Sequence, residues 1–291
     1  MNPFHLVVVF LLASAFAATA QPVRDPPKGY PRCMDIRKDF DISNGFTKSS
    51  YDMSRFVSKD LVAALLDPGI DHHAVRITWA VGDFIAHGYR AEVADLCLPD
   101  EGEQIYYSLA FLIPTNILLD HDKSVLIGQF HTPDAGHKPQ IALRYRGWRH
   151  FDITLNFDVP EKDDLSAYAL QRKPLRIKNL RRNRWHHLEL LVRWSAKENG
   201  SIDLVFNGDH VLHCEGRNNY ITQNGFAPHF KYGLYPSDSN SWPLTIHHAF
   251  YDRMHAPDEA FLRKRGFRFS AGALKPITFN DGDDRMVIND R

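Results

Sequence analysis

The sequence predicts an all-β protein: a two-sheet antiparallel β-sandwich of the jelly-roll type with a few short helices. Apolar residues alternate with period two in many segments, and helical patterns are scarce. Turn sequences such as Glu198-Asn199-Gly200 and Asn207-Gly208-Asp209 separate these segments at the spacing of an antiparallel sandwich. The alternating segments are residues 105–111, 125–127, 151–157, 188–194, 202–206 and 244–250.

Two segments carry a helical pattern. Residues 58–66 are predicted to form a short helix that ends before Pro68-Gly69. A second helix is predicted from Pro257 to Arg265, because a proline and acids open its first turn, bases fill its last turn, and Gly266 follows. Both are short, so we expect them at the periphery of the sandwich.

The chain is expected to divide into a leader and one domain. Residues 6–17 are apolar but too few to span a bilayer, and Ala18-Thr19-Ala20 has the small residues of a cleavage site. We therefore predict a signal peptide over residues 1–20 and a mature protein that is secreted or periplasmic. Residues 21–291 contain no linker or repeat, and their number suits a single large β domain that begins near Asp25.

Composition narrows the range of partners. Basic and acidic residues balance to a formal net charge of zero, so no general affinity for nucleic acid is expected. Beyond the leader no run is apolar enough for a membrane span, and we expect a monomer. Cys33, Cys97 and Cys214 allow at most one disulfide, and the sequence does not pair them.

The most informative stretch is residues 229–235, with the sequence His-Phe-Lys-Tyr-Gly-Leu-Tyr. If it is a strand, its even-numbered side chains are all apolar or aromatic and point one way, whereas Lys231 and Tyr235 share the other face. Gly233 lies between them and leaves room for a ligand. A cation and a phenol on either side of a gap suit the binding of a sugar acid.

Two other segments place polar groups on one face in the same way. Gln129 and His131 are two residues apart in a predicted strand, about 6.6 Å along it. Arg90 and Glu92 have the same spacing. Three such strands would build a concave surface that carries an amide, an imidazole, a guanidinium, an ammonium and a phenol.

These groups match the needs of β-elimination in a uronic acid chain. Loss of the C5 proton adds charge to a carboxylate that is already negative, so donors such as Gln129 and Arg90 must neutralise it. A base must take that proton and an acid must protonate the departing O4, and His131 and Tyr235 are the candidates. In glucuronate or mannuronate both leave from the same side, so Tyr235 alone can serve. In guluronate or iduronate they lie on opposite faces, which requires His131 as base and Tyr235 as acid.

The motifs resemble those of the β-jelly-roll polysaccharide lyases. Gln129-Phe130-His131 is similar to their Gln-x-His motif, Arg90-Ala91-Glu92 to their Arg-x-Glu strand, and residues 229–235 to their Tyr-Phe-Lys-x-Gly-x-Tyr strand. The Lys-x-x-x-Tyr spacing of Lys231 and Tyr235 also resembles the heparin lyase I and glucuronan lyase branches. In order and spacing the resemblance covers most of residues 89–252.

The resemblance implies a role for each of these residues. It makes Tyr235 the acid/base, His131 a second acid/base or a neutraliser, Gln129 and Arg90 neutralisers of the carboxylate, and Lys231 a substrate contact. The sequence departs from the alginate lyase pattern at two positions, because His229 replaces a Tyr and Pro236 replaces an Asn. We therefore expect a glucuronan-type substrate ahead of heparin-like chains, with alginate third.

Further residues are predicted to bind substrate or to guide it. Glu92, Arg144, Arg146, Asn218 and Asn219 are candidate substrate-binding residues. Residues 172–184 contain seven bases and no acid, which indicates either a solvated loop and strand edge or a positive rim that steers a polyanion.

The histidines do not predict a metal site. They occur as adjacent pairs, and neighbouring residues on a strand point to opposite faces, so we do not expect zinc. The chemistry requires no cofactor, and a structural Ca²⁺ is the one metal the sequence leaves open, with Asp252 as a candidate ligand. The pairs are His72-His73, His186-His187 and His247-His248.

Two other functions compete with the lyase. A non-catalytic, lectin-like jelly roll would use the same concave face but would not need a phenol and an imidazole together. A glycoside hydrolase would need two carboxylates at a fixed separation, and no Glu-x-Asp-x-x-Glu strand is present.

Overall fold

The structure of the protein is a computed structural model. It describes residues 62–66, 73–79, 91–94, 98–115, 123–132, 138–157, 170–220, 228–236, 244–255, 257–269, 277–278 and 286–290. Over these ranges the chain forms fifteen strands and one α-helix. Their bounds are β1 Val62–Leu66, β2 His73–Trp79, β3 Ala91–Ala94, β4 Gln104–Leu112, β5 Ser124–His131, β6 Ile141–Arg146, β7 His150–Phe157, β8 Leu170–Lys178, β9 Trp185–Arg193, β10 Ser201–Phe206, β11 Asp209–Glu215, β12 His229–Pro236, β13 Leu244–His255, α1 Glu259–Lys264, β14 Ile277–Thr278 and β15 Met286–Asn289.

The strands form two sheets. We call the eight-stranded sheet, in the order β1-β2-β13-β4-β9-β10-β11-β14, the back sheet. The seven-stranded sheet, in the order β15-β8-β7-β6-β5-β12-β3, is the front sheet. Neighbours are antiparallel except for β11–β14 and β8–β15, which are parallel pairs at sheet edges. The predicted all-β sandwich is thereby confirmed.

Alternating side chains of the two sheets meet in one apolar core. Phe111 of the back sheet stacks on Phe151 of the front sheet with ring centroids 5.3 Å apart, and Phe130 meets Trp194 at 5.4 Å. The alternation read from the sequence selects the buried side of β4, β7, β9 and β10 because only one face of each sheet packs against the other. In β5 the buried side passes from Val125 and Ile127 to Phe130, across a register shift between Leu126 and Gly128.

The outer face of the back sheet is partly covered by α1. Tyr106, Leu191 and Val205 point away from the main core and form a second cluster with Leu262 and Phe267. We call this group the back cluster.

Local sequence accounts for both ends of α1. Asp258 caps the start of the helix, because its Oδ1 accepts a hydrogen bond from the Phe261 N–H at 2.7 Å. Gly266, with φ of +97°, ends it in the left-handed region that favours glycine. The predicted helix at residues 257–265 is thus confirmed.

One predicted helix is wrong in its described part. Residues 62–66, within the segment predicted as helical, form β1, which pairs with β2 from Val62–Ile77 to Leu66–His73. The run Val-Ala-Ala-Leu-Leu has good helix formers, but five apolar residues do not separate helix from strand by periodicity. Hydrogen bonds to β2 decide the outcome here, since local propensity is weak.

Several sequence expectations lie outside the described residues, including the signal peptide, Cys33 and Cys97. Cys214 is a free thiol buried in the core, and burial raises its pKa well above the usual value. In the described ranges, no helix is long and apolar enough to cross a membrane.

Candidate active site

The strand β12 lies between β5 and β3 in the front sheet, and its two faces differ. Phe230, Tyr232 and Leu234 are buried in the core. The alternate positions Lys231 and Tyr235 therefore face outward. Tyr235 is half-buried, whereas Lys231 is only 5% exposed, so neighbouring side chains enclose the lysine stem.

Strand register gathers the other polar groups around β12. Lys231 pairs with Gln129, and His229 pairs with His131, both on β5. On the other side, Gly233 pairs with Glu92 of β3. Because directly paired residues project to the same face, the amide, imidazole, ammonium and carboxylate all belong to the outer face of the front sheet.

Glu92 holds the amide of Gln129. Gln129 Nε2 donates to Glu92 Oε1 at 2.5 Å, and both side chains are 1% exposed. An Nε2 group carries two N–H bonds, and Glu92 takes one of them. Gln129 Oε1 has no hydrogen-bond partner within the described part of the chain. Glu92 thus orients the amide of Gln129, and its predicted contact with substrate stays a prediction.

His131 ends β5 and is half-buried. Its Nδ1 contacts the carbonyl oxygen of Thr132. A carbonyl oxygen only accepts, so Nδ1 carries the proton in this contact. The Thr132 N–H in turn donates to Gln140 Oε1 at 3.2 Å, which ties the end of β5 to the start of β6.

Tyr235 lies at the opposite end of this row. It pairs with Leu126, which pairs in turn with Arg144 of β6. Burial lowers the pKa of Arg144 and the charge of Arg146 lowers it further, while Asp152 and Tyr235 act in the opposite direction. A guanidinium therefore stands beside the phenol on the outer face.

The register also sets the spacing along the row. Gln129 is three residues from Leu126 on β5, and His131 is five. At about 3.4 Å per residue of regular strand, Gln129 lies at most about 10 Å and His131 at most about 17 Å from the level of Tyr235, and the register shift between Leu126 and Gly128 shortens both distances. Gln129 is thus between the two titratable groups, and Tyr235 is closer to the amide than to the imidazole.

A cationic group extends the outer face over β6, β7 and β8. Asp152 is fully buried and lies 2.8 Å from Arg146 Nε. Arg176 donates to both of its oxygens at 2.6 Å, and this hydrogen bonding raises the pKa of Arg176. His150 lies next to the group, where burial and then the charge of Arg176 lower its pKa. With Arg144, three guanidiniums surround one carboxylate, so the face stays positive.

Asn218 and Asn219, which the sequence predicts to bind sugar, are buried and form hydrogen bonds within the protein. Asn218 Oδ1 accepts from the Ser195 N–H, and its Nδ2 donates to the carbonyls of Arg193 and Ser201. These bonds link the ends of β9 and β10, and both asparagines are buried. The Asn218 amide thus holds a turn, because its oxygen and nitrogen are already bonded to the backbone.

Asn219 belongs to the support of the front sheet. Its Oδ1 accepts from Gln140 Nε2 at 3.1 Å and from the Tyr220 N–H at 2.9 Å. Since Gln140 also accepts from Thr132, a buried bridge joins the loop after β11 to the end of β5 beside His131. Sequence reasoning missed Gln140, because a single glutamine before a strand carries no motif.

The basic run at residues 172–184 is divided by the fold. Arg176 pairs with Asp152 on the front sheet. Arg184 instead precedes β9, in the back sheet. The run is therefore not one continuous rim. Asp152 was also missed by sequence reasoning, although an acid at a polar position of a predicted strand, close in sequence to Arg144 and Arg146, was a usable signal.

Two predicted residues cannot be located. Arg90 lies outside the described residues, immediately before β3, and the Asp252 side chain is also outside them. Among the described residues, no group of three or more His, Cys, Asp or Glu side chains is arranged to hold a metal ion.

The chain is similar to known polysaccharide lyases in sequence family and in fold. The polysaccharide lyase family model matches residues 67–255. Endo-β-1,4-glucuronan lyase from the fungus Trichoderma reesei is 17% identical, with 71% of this chain and 95% of that chain covered at a TM-score of 0.53. Alginate lyase A1-II′, a member of polysaccharide lyase family 7, is 13% identical over 74% and 86% of the two chains, with a TM-score of 0.45. No curated protein matches the chain.

The family match covers well over half of the chain, including β5, β12 and every described strand between them. The glucuronan lyase likeness shows the same sandwich fold. The chain therefore belongs to the polysaccharide lyase family, and it is an enzyme of that class.

Proposed function

We propose that the protein is secreted or periplasmic and cleaves a 1,4-linked, uronate-containing polysaccharide by β-elimination. The observation that carries this proposal is the row of groups on the outer face of the front sheet. In that row Gln129, held by Glu92, lies beside Lys231 and between His131 and Tyr235.

The first requirement of the reaction is to neutralise the uronate carboxylate. The second N–H of the Gln129 amide, the Nε2–H of His131 when its ring is protonated, and the Arg90 guanidinium are the proposed donors. Their effect is largest as charge grows on the enolate-like intermediate, because donors fixed in advance need no reorganisation. Glu92 contributes by keeping the Gln129 amide from rotating.

Tyr235 is the proposed acid and base. In glucuronate the C5 proton and O4 leave from one side, so a single phenolate can take the proton and return it to the departing oxygen. In the register of β5 and β12, Gln129 lies between His131 and Tyr235. The nearby Arg144 supplies positive charge beside the phenol.

Neighbouring sugars are proposed to lie along the cationic side of the face. Arg144 and Arg146 are half-exposed on β6, and Lys231 is beside Gln129. Asp152 fixes the Arg146 and Arg176 guanidiniums in place while leaving the group positively charged. An acidic polymer would therefore be held across β6 and β7. The elimination itself needs no cofactor in this scheme, and a structural Ca²⁺ near Asp252 stays a prediction.

We propose glucuronan-type chains ahead of heparin-like chains, and alginate third. The Lys231–Tyr235 spacing supports the first two, and the changes at His229 and Pro236 weigh against the third. His229 pairs with His131, is 1% exposed, and is an imidazole where the alginate pattern has a phenol.

A substrate panel tests the proposal. Glucuronan, heparin, heparan sulfate, hyaluronan, polymannuronate and polyguluronate would each be incubated with the enzyme while ultraviolet absorbance is recorded. Each β-elimination creates a conjugated, unsaturated uronate that absorbs, and neither a lectin nor a hydrolase makes one. We expect the fastest rise with glucuronan. A rise with alginates alone would reject the glucuronate preference, and no rise with any uronate polymer would reject the proposed reaction.

A further inference from the structure

A cleft of about 360 Å³ opens in the back sheet, away from the row of candidate catalytic groups. It is bounded by the start of β9, the Asn207-Gly208 turn and the C-terminal end of α1. Leu188 and Leu190 of β9 are in the main core, so the alternate residues that line the cleft face outward. The cleft and the candidate active site are thus on opposite sides of the sandwich.

Two glycines fix the wall of this cleft. A Cβ at Gly266, just after α1, would lie 2.6 Å from the carbonyl oxygen of Gly208. Only a glycine permits this approach, and the φ of +97° at Gly266 also favours glycine. The end of the helix and the hairpin turn are therefore in close backbone contact, and this contact fixes one wall of the cleft.

The charge in the cleft is positive. Among the described lining residues, Arg184, Lys264 and Arg265 supply three cations and Glu189 one carboxylate. Arg265 Nε lies 3.0 Å from Glu189 Oε1, so these two residues form an ion pair. Arg184 and Lys264 are exposed cations of the same cleft. A ligand with negative charge complements this surface.

An aromatic wall adds a second feature. Trp185 is half-buried in the cleft, next to the exposed His187. An indole offers a large apolar surface with a polar edge, which suits the C–H face of a sugar ring as well as its hydroxyls. A bare inorganic anion would make no use of this ring, and a neutral sugar would make no use of the cations.

We propose that this cleft is a second, non-catalytic binding site for a segment of acidic oligosaccharide. The inference rests on the proposed function, in which the substrate is a uronate polymer. The sheets alone are about 10 Å apart, so one sugar cannot reach both sites. The cleft therefore holds a distant part of the same polymer or another chain, which raises the local concentration of substrate at the front sheet.

Binding stoichiometry tests the site directly. The Tyr235→Phe protein, which should bind without turnover, would be titrated calorimetrically with a β-1,4-glucuronate hexasaccharide. We expect two binding events, and one after Arg184→Glu with Lys264→Glu. A matched control, Arg193→Glu with Lys197→Glu, makes the same charge change at exposed positions outside the cleft and should keep both events. A single event in the parent, or two in the cleft variant, would overturn the proposal.

Two further arms check the ligand class and separate the two proposals. A neutral β-1,4-glucan hexasaccharide should not bind the cleft, and equal binding would refute recognition of acid. In the active enzyme, the cleft variant should raise KM for polymeric glucuronan about five- to tenfold while leaving kcat/KM for a tetrasaccharide unchanged. If the active enzyme produces no absorbance rise, the proposed function fails, whereas the titration still decides the cleft.

Discussion

The two outer faces of the sandwich are built from similar strands but are used differently. On the back sheet, α1 covers Tyr106, Leu191 and Val205, so much of that face is a second packed cluster. On the front sheet, the corresponding positions of β5 and β12 carry Gln129, His131, Lys231 and Tyr235.

The buried polar groups differ in the same way. Asp203 on the back sheet lies within 3.1 Å of His210 and 2.6 Å of His213. On the front sheet, Glu92 accepts from Gln129, whose Oε1 has no hydrogen-bond partner in the described ranges. The contacts of Asp203 with the two histidines are structural. The contact of Glu92 with Gln129 instead orients an amide that can still bond to a ligand. Substitutions on the two faces should therefore separate activity from stability.

The largest effect is expected for Tyr235→Phe. The ring still packs on the front sheet, but the proton-transfer group is lost, so kcat should fall by about a thousandfold or more. Substrate affinity and the melting temperature should change little. Initial rates on glucuronan, recorded by ultraviolet absorbance, measure kcat, and calorimetry with the oligosaccharide measures the substrate affinity. Normal turnover would remove Tyr235 from the mechanism.

His131→Ala should cost at least about a hundredfold in kcat/KM, because a donor to the carboxylate is lost. The matched control is His213→Ala on the back sheet, where the ring contacts Asp203 and Glu215 and no substrate is expected. Initial-rate kinetics on glucuronan would compare the two variants. Similar losses in both would mean that His131 acts only through folding.

Glu92→Ala removes a buried carboxylate from the front sheet, and Asp203→Ala removes one from the back sheet. Each change leaves buried donors without an acceptor and should lower the free energy of unfolding by about 1–3 kcal/mol. Only Glu92→Ala should also lower kcat, by about tenfold, because the Gln129 amide loses its orientation. Glu92→Gln keeps an acceptor and should restore most of the rate. Urea denaturation and initial rates check both parts, and equal kcat values for the two alanine variants would contradict the positioning role.

The smallest effect is a pH dependence confined to the back sheet. The hydrogen bond to Asp203 raises the pKa of His213 against the effect of burial. A raised folded-state pKa means that this contribution to stability is complete below about pH 6.5 and is lost as pH rises through the folded-state value. Between about pH 6 and about pH 8.5, the free energy of unfolding should therefore fall further in the unmodified protein than in His213→Gln. The difference between the two proteins should be below about 1 kcal/mol. Urea denaturation at both pH values measures the difference, and identical pH slopes would show that His213 is not responsible.

Sequence was a good guide wherever a two-residue period decided burial. The faces of β12 and the core sides of β4 and β7 follow from alternation, because one side of each strand packs against the other sheet. Turn and cap chemistry were also readable: Asn207 and Gly208 both have positive φ in the β10–β11 turn, and Asp258 caps α1.

Side chains whose role depends on long-range neighbours were not readable. Asn218 has the composition of a sugar contact, but its bonds go to the ends of β9 and β10. The basic run at residues 172–184 is continuous in sequence, yet the passage from front to back sheet separates Arg176 from Arg184. In both cases the deciding contacts involve strands that are distant in the chain and form only on folding.

The most direct test of β-elimination on the front sheet is the mass of the cleaved fragments. A defined β-1,4-glucuronate oligosaccharide would be digested with the enzyme, with Tyr235→Phe run in parallel, and the products weighed by mass spectrometry. The account predicts that the masses of each pair of fragments sum to the mass of the substrate, because no water is added, and that Tyr235→Phe yields no fragments. Fragment pairs that sum to one water more than the substrate would identify hydrolysis and contradict the account.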